Sequence, residues 1–503
     1  MVLVIAASAA AAAAPREIVR IDGGFLRGAS VAGVVSFKGI PFAAPPIGPL
    51  RWRAPQHLRH WDGIRAATEF GNACLQPASR TGSSQPLGAP ISEDCLYLNV
   101  WRPARSKGLV PVMVWIYGGA LVRGATSIAT TDGAALAGRG VVLVSISYRI
   151  GYPGFFAHPA LTREAADGGH IANYGLMDQV AALQWVRKNI RAFGGDPARV
   201  TIFGQSAGAL SVEALLVSPA ARGLFHRAIV QSGYYRGSYP RIAERAPDGR
   251  NSAEEDGVAA LKAIGVKVAE VAALRNLTTQ QLQSLPLHGV SGAIPAIDGT
   301  YIVEDLWISL RKGRMAPVPL MVGATSQETP KLPPDIRSQF RTVMQSFIHP
   351  DEEATLLPVY GGQQGFDQSL SSDFTFAAMM HSLASIHIAN KHPTYRYRFA
   401  TLPDEAALTL QGLPHSGDLP YVFGTLDTAR WKMQARDRAV SDAAMDYWVA
   451  FARIGRPAPK GRPAWPSAEG EQIMLFDNEG AKPQFDDRSD RYRALAEIID
   501  PRS

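Results

Sequence analysis

Residues 200–212 read VTIFGQSAGALSV. The first four suit a short buried strand, Gly204 and Gly208 permit a sharp turn, and a helical run begins near Ala207. A strand, a tight turn and a helix in succession would lift Ser206 to the apex and expose its hydroxyl. Small residues also gather in ordinary turns, so Ser206 acquires chemical meaning only through partners elsewhere in the chain.

The surrounding sequence repeats the same alternation. Apolar, β-rich runs recur at VPVMVWIY (110–117), VVLVSIS (141–147), RAIVQ (227–231), PLMVG (319–323) and TYRYRFA (394–400). Such continuous runs suit strands covered on both faces. Between them lie helical patterns, clearest in GLMDQVAALQWVRKNIRAF, where Val180, Leu183, Val186 and Ile190 recur every three or four residues. The pattern predicts an α/β fold, a central and mostly parallel sheet flanked by helices. Residues 15–503 are expected to form one domain, with helical cap insertions near 234–290 and 331–389 where strand signals are poor.

At 46% hydrophobic and 19% charged, the 503-residue chain has a globular composition, which excludes a disordered or fibrous protein. The formal charge of +7 comes from basic residues interspersed with acidic ones, so nucleic acid is not an expected partner. The opening MVLVIAASAAAAAA (1–14) resembles the apolar region and small-residue cleavage site of a secretory signal, although a basic start is missing. It is too short to span a membrane, and no stable membrane insertion is expected. Cys74 and Cys95, the only cysteines, enclose a polar loop rich in Gly, Ser and Pro. Buried free thiols would suit an intracellular protein; taken with the leader, a disulfide is expected, stabilising by about 3 kcal/mol.

A serine hydroxyl becomes a nucleophile only when a base takes its proton and an acid orients that base. His415 is the best-placed base, in the loop GLPHSGDLPYVFG after the late strand, whereas His381 and His387 fall in a helical pattern. Glu328 in GATSQETP follows the strand PLMVG and lies between Ser206 and His415 in the chain. A solvated loop carboxylate would look the same on its own. A tetrahedral intermediate also needs backbone N–H donors. Gly119 and Ala120, after the strand VPVMVWI, and Ala207, next to the serine, are the candidates for an oxyanion hole.

With these residues placed, the chain resembles the type B carboxylesterase/lipase family, α/β-hydrolases that include the cholinesterases. Two long motifs carry the likeness, FGGDPARVTIFGQSAG (193–208) and EDCLYLNVWRP (93–103). FKGIPFAAPPIGPLRW, NYGLMDQVAALQWV, PAIDG and HSGDLPYVFG add to it, so that it runs from about Phe37 to near Ile454. The resemblance implies Ser206 as nucleophile, His415 as general base and acid, Glu328 as orienting acid, and Gly119, Ala120 and Ala207 as oxyanion donors. Ser232 would support the acid, Cys74 and Cys95 would form the family's first disulfide, and Tyr234 and Tyr235 fall near the substrate pocket.

Three departures bear on substrate choice. Gln205 replaces the glutamate usual before the nucleophile, and the Cys74–Cys95 loop lacks the tryptophan that contacts choline, which removes two cation-attracting features. Ala120 stands where many relatives have a third glycine, and its methyl group should disfavour bulky esters. The expected activity is hydrolysis of neutral or anionic carboxylic esters, in preference to choline esters, through an acyl-serine, with no metal or organic cofactor. The same residues would serve amides, carbamates or thioesters, and the family also contains catalytically dead adhesion proteins. Oligomeric state is not legible in one sequence.

Overall fold

The alternation of apolar runs and helical stretches closes into one large sheet in the computed structural model, which describes residues 17–77, 88–164, 171–233, 239–286, 294–329, 344 and 347–499. In chain order its strands are β1 Ala29–Val31, β2 Val34–Pro41, β3 Tyr97–Pro103, β4 Val110–Ile116, β5 Val142–Ile146 and β6 Gly195–Gln205. They continue as β7 Arg227–Gln231, β8 Leu320–Thr325, β9 Thr394–Phe399, β10 Gln472–Asp477 and β11 Gly480–Phe485. Across the sheet the order is β11-β10-β9-β8-β7-β6-β4-β5-β3-β2-β1. The strands from β5 to β10 pair in parallel; β11 and the β1–β3 edge pair antiparallel.

Parallel pairing follows from the helices that return the chain between strands. Helix α1 (Tyr174–Asn189) leads into β6, and α2 (Ala207–Val217) leaves it. Every residue of α2, AGALSVEALLV, is buried, as its sequence, apolar on all sides apart from Ser211 and Glu213, predicts. Helix α3 (Ala378–Ala389) packs on β8 and β9. Helix α4 (Ala435–Ile454) crosses the sheet and meets β9 through Trp448 against Tyr397 and Phe451 against Tyr395. The two faces of β9 differ: the aromatic residues meet α4, whereas Arg396 and Arg398 form ion pairs with Asp486. A buried pair, Arg149 with Asp178 at 2.8 Å, ties the end of β5 to α1.

The strand expected at 200–203 is longer than its apolar run. Strand β6 spans 195–205, with a register shift against β4 between Gly195 and Val200 that admits GDPAR at the start of this central strand. The antiparallel edges were not visible as long apolar runs, because short connections at 32–33 and 478–479 let neighbouring strands turn back directly.

Gly118, Ser206, Ser232 and Glu328 therefore emerge at the same edge, just past the C-terminal ends of β4, β6, β7 and β8. Outside this sheet, Ile18–Ile21, Gly24–Arg27 and Ile64–Ala66 form a three-stranded sheet. Cys74 and Cys95 are joined as a disulfide. Among the described residues no helix is long and apolar enough to cross a membrane. The leader-like residues 1–14 lie outside the described residues, as do Tyr234 and Tyr235.

Candidate active site

Ser206 has φ 58° and ψ −126°, a conformation that L-residues rarely adopt and that costs about 1–3 kcal/mol. Close packing holds it there. A Cβ on Gly204 would lie 2.4 Å from the Gly208 backbone, and one on Gly208 would lie 2.0 Å from the Ile116 carbonyl oxygen. Only glycines let α2 start against β4 in this way. The Ser206 N–H donates to the Gln231 carbonyl oxygen at 3.0 Å, which ties the turn to the next strand.

Glu328 is 1% exposed, and three groups satisfy its carboxylate. Oε1 accepts from the Ser232 hydroxyl and from the Thr325 N–H, each at 2.6 Å, while Oε2 lies 2.5 Å from His415 Nδ1. The neighbouring backbone reinforces the pair, His415 N–H donating to the Glu328 carbonyl oxygen at 3.1 Å. With Nδ1–H given to the carboxylate, the other ring nitrogen, Nε2, is left as an acceptor. Phe376 lies against the ring, centroids 4.5 Å apart, and limits its rotation. The predicted acid, base and supporting serine thus stand in direct contact.

The contact between Ser206 and His415 is different. Among the described residues the Ser206 hydroxyl has no hydrogen-bond partner, and the Gln205 amide lies against the His415 ring, its Nε2 3.1 Å from the imidazole Nε2 and 3.4 Å from Nδ1. Gln205 is held in turn by Ser416, whose hydroxyl donates to Gln205 Oε1 at 3.0 Å. Catalytic hydrogen bonds are often loose before a substrate arrives, so the geometry is compatible with a base that engages the serine later.

The glycine loop after β4 covers the serine. A Cβ on Gly118 would sit 3.1 Å from Ser206 Cβ and 2.4 Å from the Gln205 carbonyl oxygen, so the chain passes directly over the turn. Gly119, at φ 111°, has the Arg123 carbonyl oxygen 2.2 Å from the place its Cβ would take. Ala120 follows with φ 56°. Among the described residues the N–H groups of Gly119, Ala120 and Ala207 donate to no acceptor; Ala207 opens α2, where first-turn donors have no partner within the helix. These three unengaged donors lie at the strand edge that also carries Ser206.

Other groups here were not singled out from sequence. Asp418, three residues after His415, is fully buried and accepts from Gln231 Nε2 at 3.0 Å. Burial first, and the nearby Glu328 carboxylate second, push its carboxyl up to about 6. Glu213, two turns along α2 from Ser206, is 2% exposed with neither oxygen partnered among the described residues, and burial pushes it up to about 8. Glu213 interrupts an otherwise apolar helix, and that is the one signal the sequence carried. Among the described residues no cluster of His, Cys, Asp and Glu could hold a metal ion.

Comparison with known proteins gives this arrangement a context. The sequence profile of the carboxylesterase family matches residues 15–355 and 363–493. A fumonisin B1 esterase from Sphingopyxis macrogoltabida is 34% identical over 467 residues, covering 89% of this chain and 84% of that protein. A para-nitrobenzyl esterase from Bacillus subtilis (strain 168) is 32% identical over 488 residues, covering 92% and 95%. A solved structure of a PNB esterase superposes with a TM-score of 0.82 at 29% identity, covering 96% of this chain and 99% of that one. With the sheet order and the strained serine turn already in place, these likenesses make the chain an α/β-hydrolase enzyme of the carboxylesterase family.

Proposed function

We propose that the chain is a serine carboxylic-ester hydrolase in which Ser206 attacks the ester carbonyl, His415 moves the proton and Glu328 orients His415. The observation that carries this reading is the 2.5 Å pair of His415 and Glu328, fixed from behind by Ser232 and Thr325 and set beside a serine in a strained turn. Oγ bonds to the carbonyl carbon while its proton passes to His415 Nε2, and the resulting oxyanion takes hydrogen bonds from the N–H groups of Gly119, Ala120 and Ala207. His415 then gives the proton to the leaving alcohol as the carbon–oxygen bond breaks. Water, activated by the same nitrogen, releases the acid in a second pass. No metal or organic cofactor has a part in these steps.

The Gln205 amide beside the imidazole is uncharged and does not raise the basicity of the ring as a carboxylate would. This favours neutral or anionic esters over choline-like ones. The likeness to a fumonisin B1 esterase and a para-nitrobenzyl esterase supports ester substrates as the first reading over amides, carbamates or thioesters for the same residues. The Cys74–Cys95 disulfide, together with the leader-like start, supports a secreted or periplasmic protein.

Ser206→Ala tests the reading. Turnover of 4-nitrophenyl butyrate should fall by at least about 10⁴-fold, with the fold intact by circular dichroism. Labelling of the parent chain by a fluorophosphonate should vanish in the same variant. Undiminished turnover, or a folded parent that neither hydrolyses the ester nor takes the label, would leave a non-catalytic binding module as the better account.

A further inference from the structure

Arg123 belongs to the loop that carries the predicted oxyanion donors, and the loop fixes it there. Its N–H donates to the Gly119 carbonyl oxygen at 3.0 Å, and its Cγ lies 2.9 Å from the place a Cβ on Gly119 would take. The side chain thus sets out across Gly119, whose own neighbour Gly118 lies against Ser206. The next residue, Gly124, is clamped on both sides by one amide, its N–H donating to Gln76 Oε1 at 3.0 Å and its carbonyl oxygen accepting from Gln76 Nε2 at 2.9 Å. Gln76 Nε2 also donates to the Cys74 carbonyl oxygen at 3.0 Å, so the clamp rests on the disulfide.

The guanidinium mounted on this rigid turn is exposed and, among the described residues, has no ion-pair, hydrogen-bond or aromatic partner. Most other arginines of the described region are engaged: Arg51 with Glu93, Arg139 with Asp446, Arg149 with Asp178 and Arg398 with Asp486 are examples. Near the reacting centre the balance of charge also favours an anion. Gln205 is neutral, and the Glu328 carboxylate is taken up by Ser232, Thr325 and His415. An uncommitted guanidinium offers a planar fork of donors that matches a carboxylate.

We infer that Arg123 is a specificity-determining residue that binds a carboxylate carried by the substrate, so that the esters processed best are half-esters of dicarboxylic acids or others with a free acid close to the reacting carbonyl. This rests on the reading of Ser206 and its N–H neighbours as the reaction centre. The carboxylate would meet the guanidinium beside Gly119 while the ester carbonyl lies over the serine, one end of the substrate fixing the other. An electrostatic anchor at the loop would also steer anionic substrates to the site.

The test compares two esters alike in size, 4-nitrophenyl hydrogen glutarate and its neutral counterpart 4-nitrophenyl 4-carbamoylbutanoate. The parent chain should prefer the acid, and Arg123→Gln should lower the acid-to-amide ratio of kcat/KM by about 10-fold, with Arg123→Lys in between. Raising ionic strength should compress the ratio in the parent and leave it alone in Arg123→Gln. A ratio unchanged by Arg123→Gln, or a parent with no preference for the acid, overturns the inference. If the parent hydrolyses neither ester, the proposed function fails separately, and titration with glutarate followed by NMR decides the matter of Arg123. Binding by the parent that is lost in Arg123→Gln supports the anchor, and no binding by the parent overturns it.

Discussion

Replacing Glu213 by Gln keeps the side chain's size and removes its ionisation, which isolates the cost of holding an acid whose charge no described residue receives. Both carboxyl oxygens are buried and, among the described residues, without partners, and Oε1 lies so close to Gly233 that a Cβ there would be 2.0 Å away. Burial moves the ionisation from 4.5 in the unfolded chain to about 8 in the folded one. The folded state therefore holds a proton that the unfolded state releases, and the parent loses stability as pH rises from 4.5 through about 8. Above that window the loss is on the order of 5 kcal/mol, and near pH 5 it is about 1 kcal/mol or less. For a chain of 503 residues, a difference of this size moves the melting temperature by roughly 4–5 °C. Thermal unfolding of both chains at pH 5 and pH 8.5, with the disulfide oxidised, should show Glu213→Gln ahead by that margin at the higher pH and close to the parent at the lower. A gap of the same size at both pH values would mean that Glu213 does not titrate as a buried, unpartnered acid, and the reasoning would fail.

Two further outcomes concern the site. Gln205→Glu would set a carboxylate against His415, where Gln205 Nε2 now lies 3.1 Å from Nε2. It should raise the basicity of the ring, move the acidic limb of the kcat/KM profile upward by about one pH unit, and improve the relative rate on cationic esters. An unmoved limb with unchanged preference would refute the electrostatic account of Gln205. Ser232→Ala removes one of two hydrogen bonds to Glu328 Oε1. Losing a charge-assisted bond of about 1.5–3 kcal/mol should lower kcat about 10-fold and shift the same pH limb, whereas a change confined to melting temperature would make Ser232 merely structural.

The parts of this fold that sequence exposes are those with one physical cause. Strands β4 to β9 are buried on both faces, so each reads as an apolar run, and α1 reads as a helix because its core-facing residues keep a fixed spacing. Arg396 and Arg398 are the exception within β9, because their charges are satisfied by Asp486 far along the chain. No local pattern announces a partner 88 residues away. The edge strand β11 has no buried residue, only half-exposed and exposed ones, and carries too little apolar signal to stand out.

The site divides along the same line. The placement of Ser206 and Glu328 just past strand ends, and the contact of Glu328 with His415, could be anticipated because the proposed chemistry asks for residues of these types at strand ends and in a set order. What tunes them depends on where side chains go after the backbone has been placed. Gln205 looks in sequence like the simple loss of a charge; in space its amide lies against the His415 ring, 3.1 Å from Nε2 and 3.4 Å from Nδ1, with Ser416 holding the other end. In the proposed reaction that makes the residue before the serine a support for the base as well as a filter for charge. The two roles separate experimentally. A filter changes which substrates are preferred, while a support changes how readily the proposed base takes a proton from Ser206 with any substrate. Gln205→Ala, which removes the amide and adds no charge, should therefore slow fluorophosphonate labelling at Ser206 if the amide holds His415 in its working position; an unchanged rate would refute that role and leave only the filter.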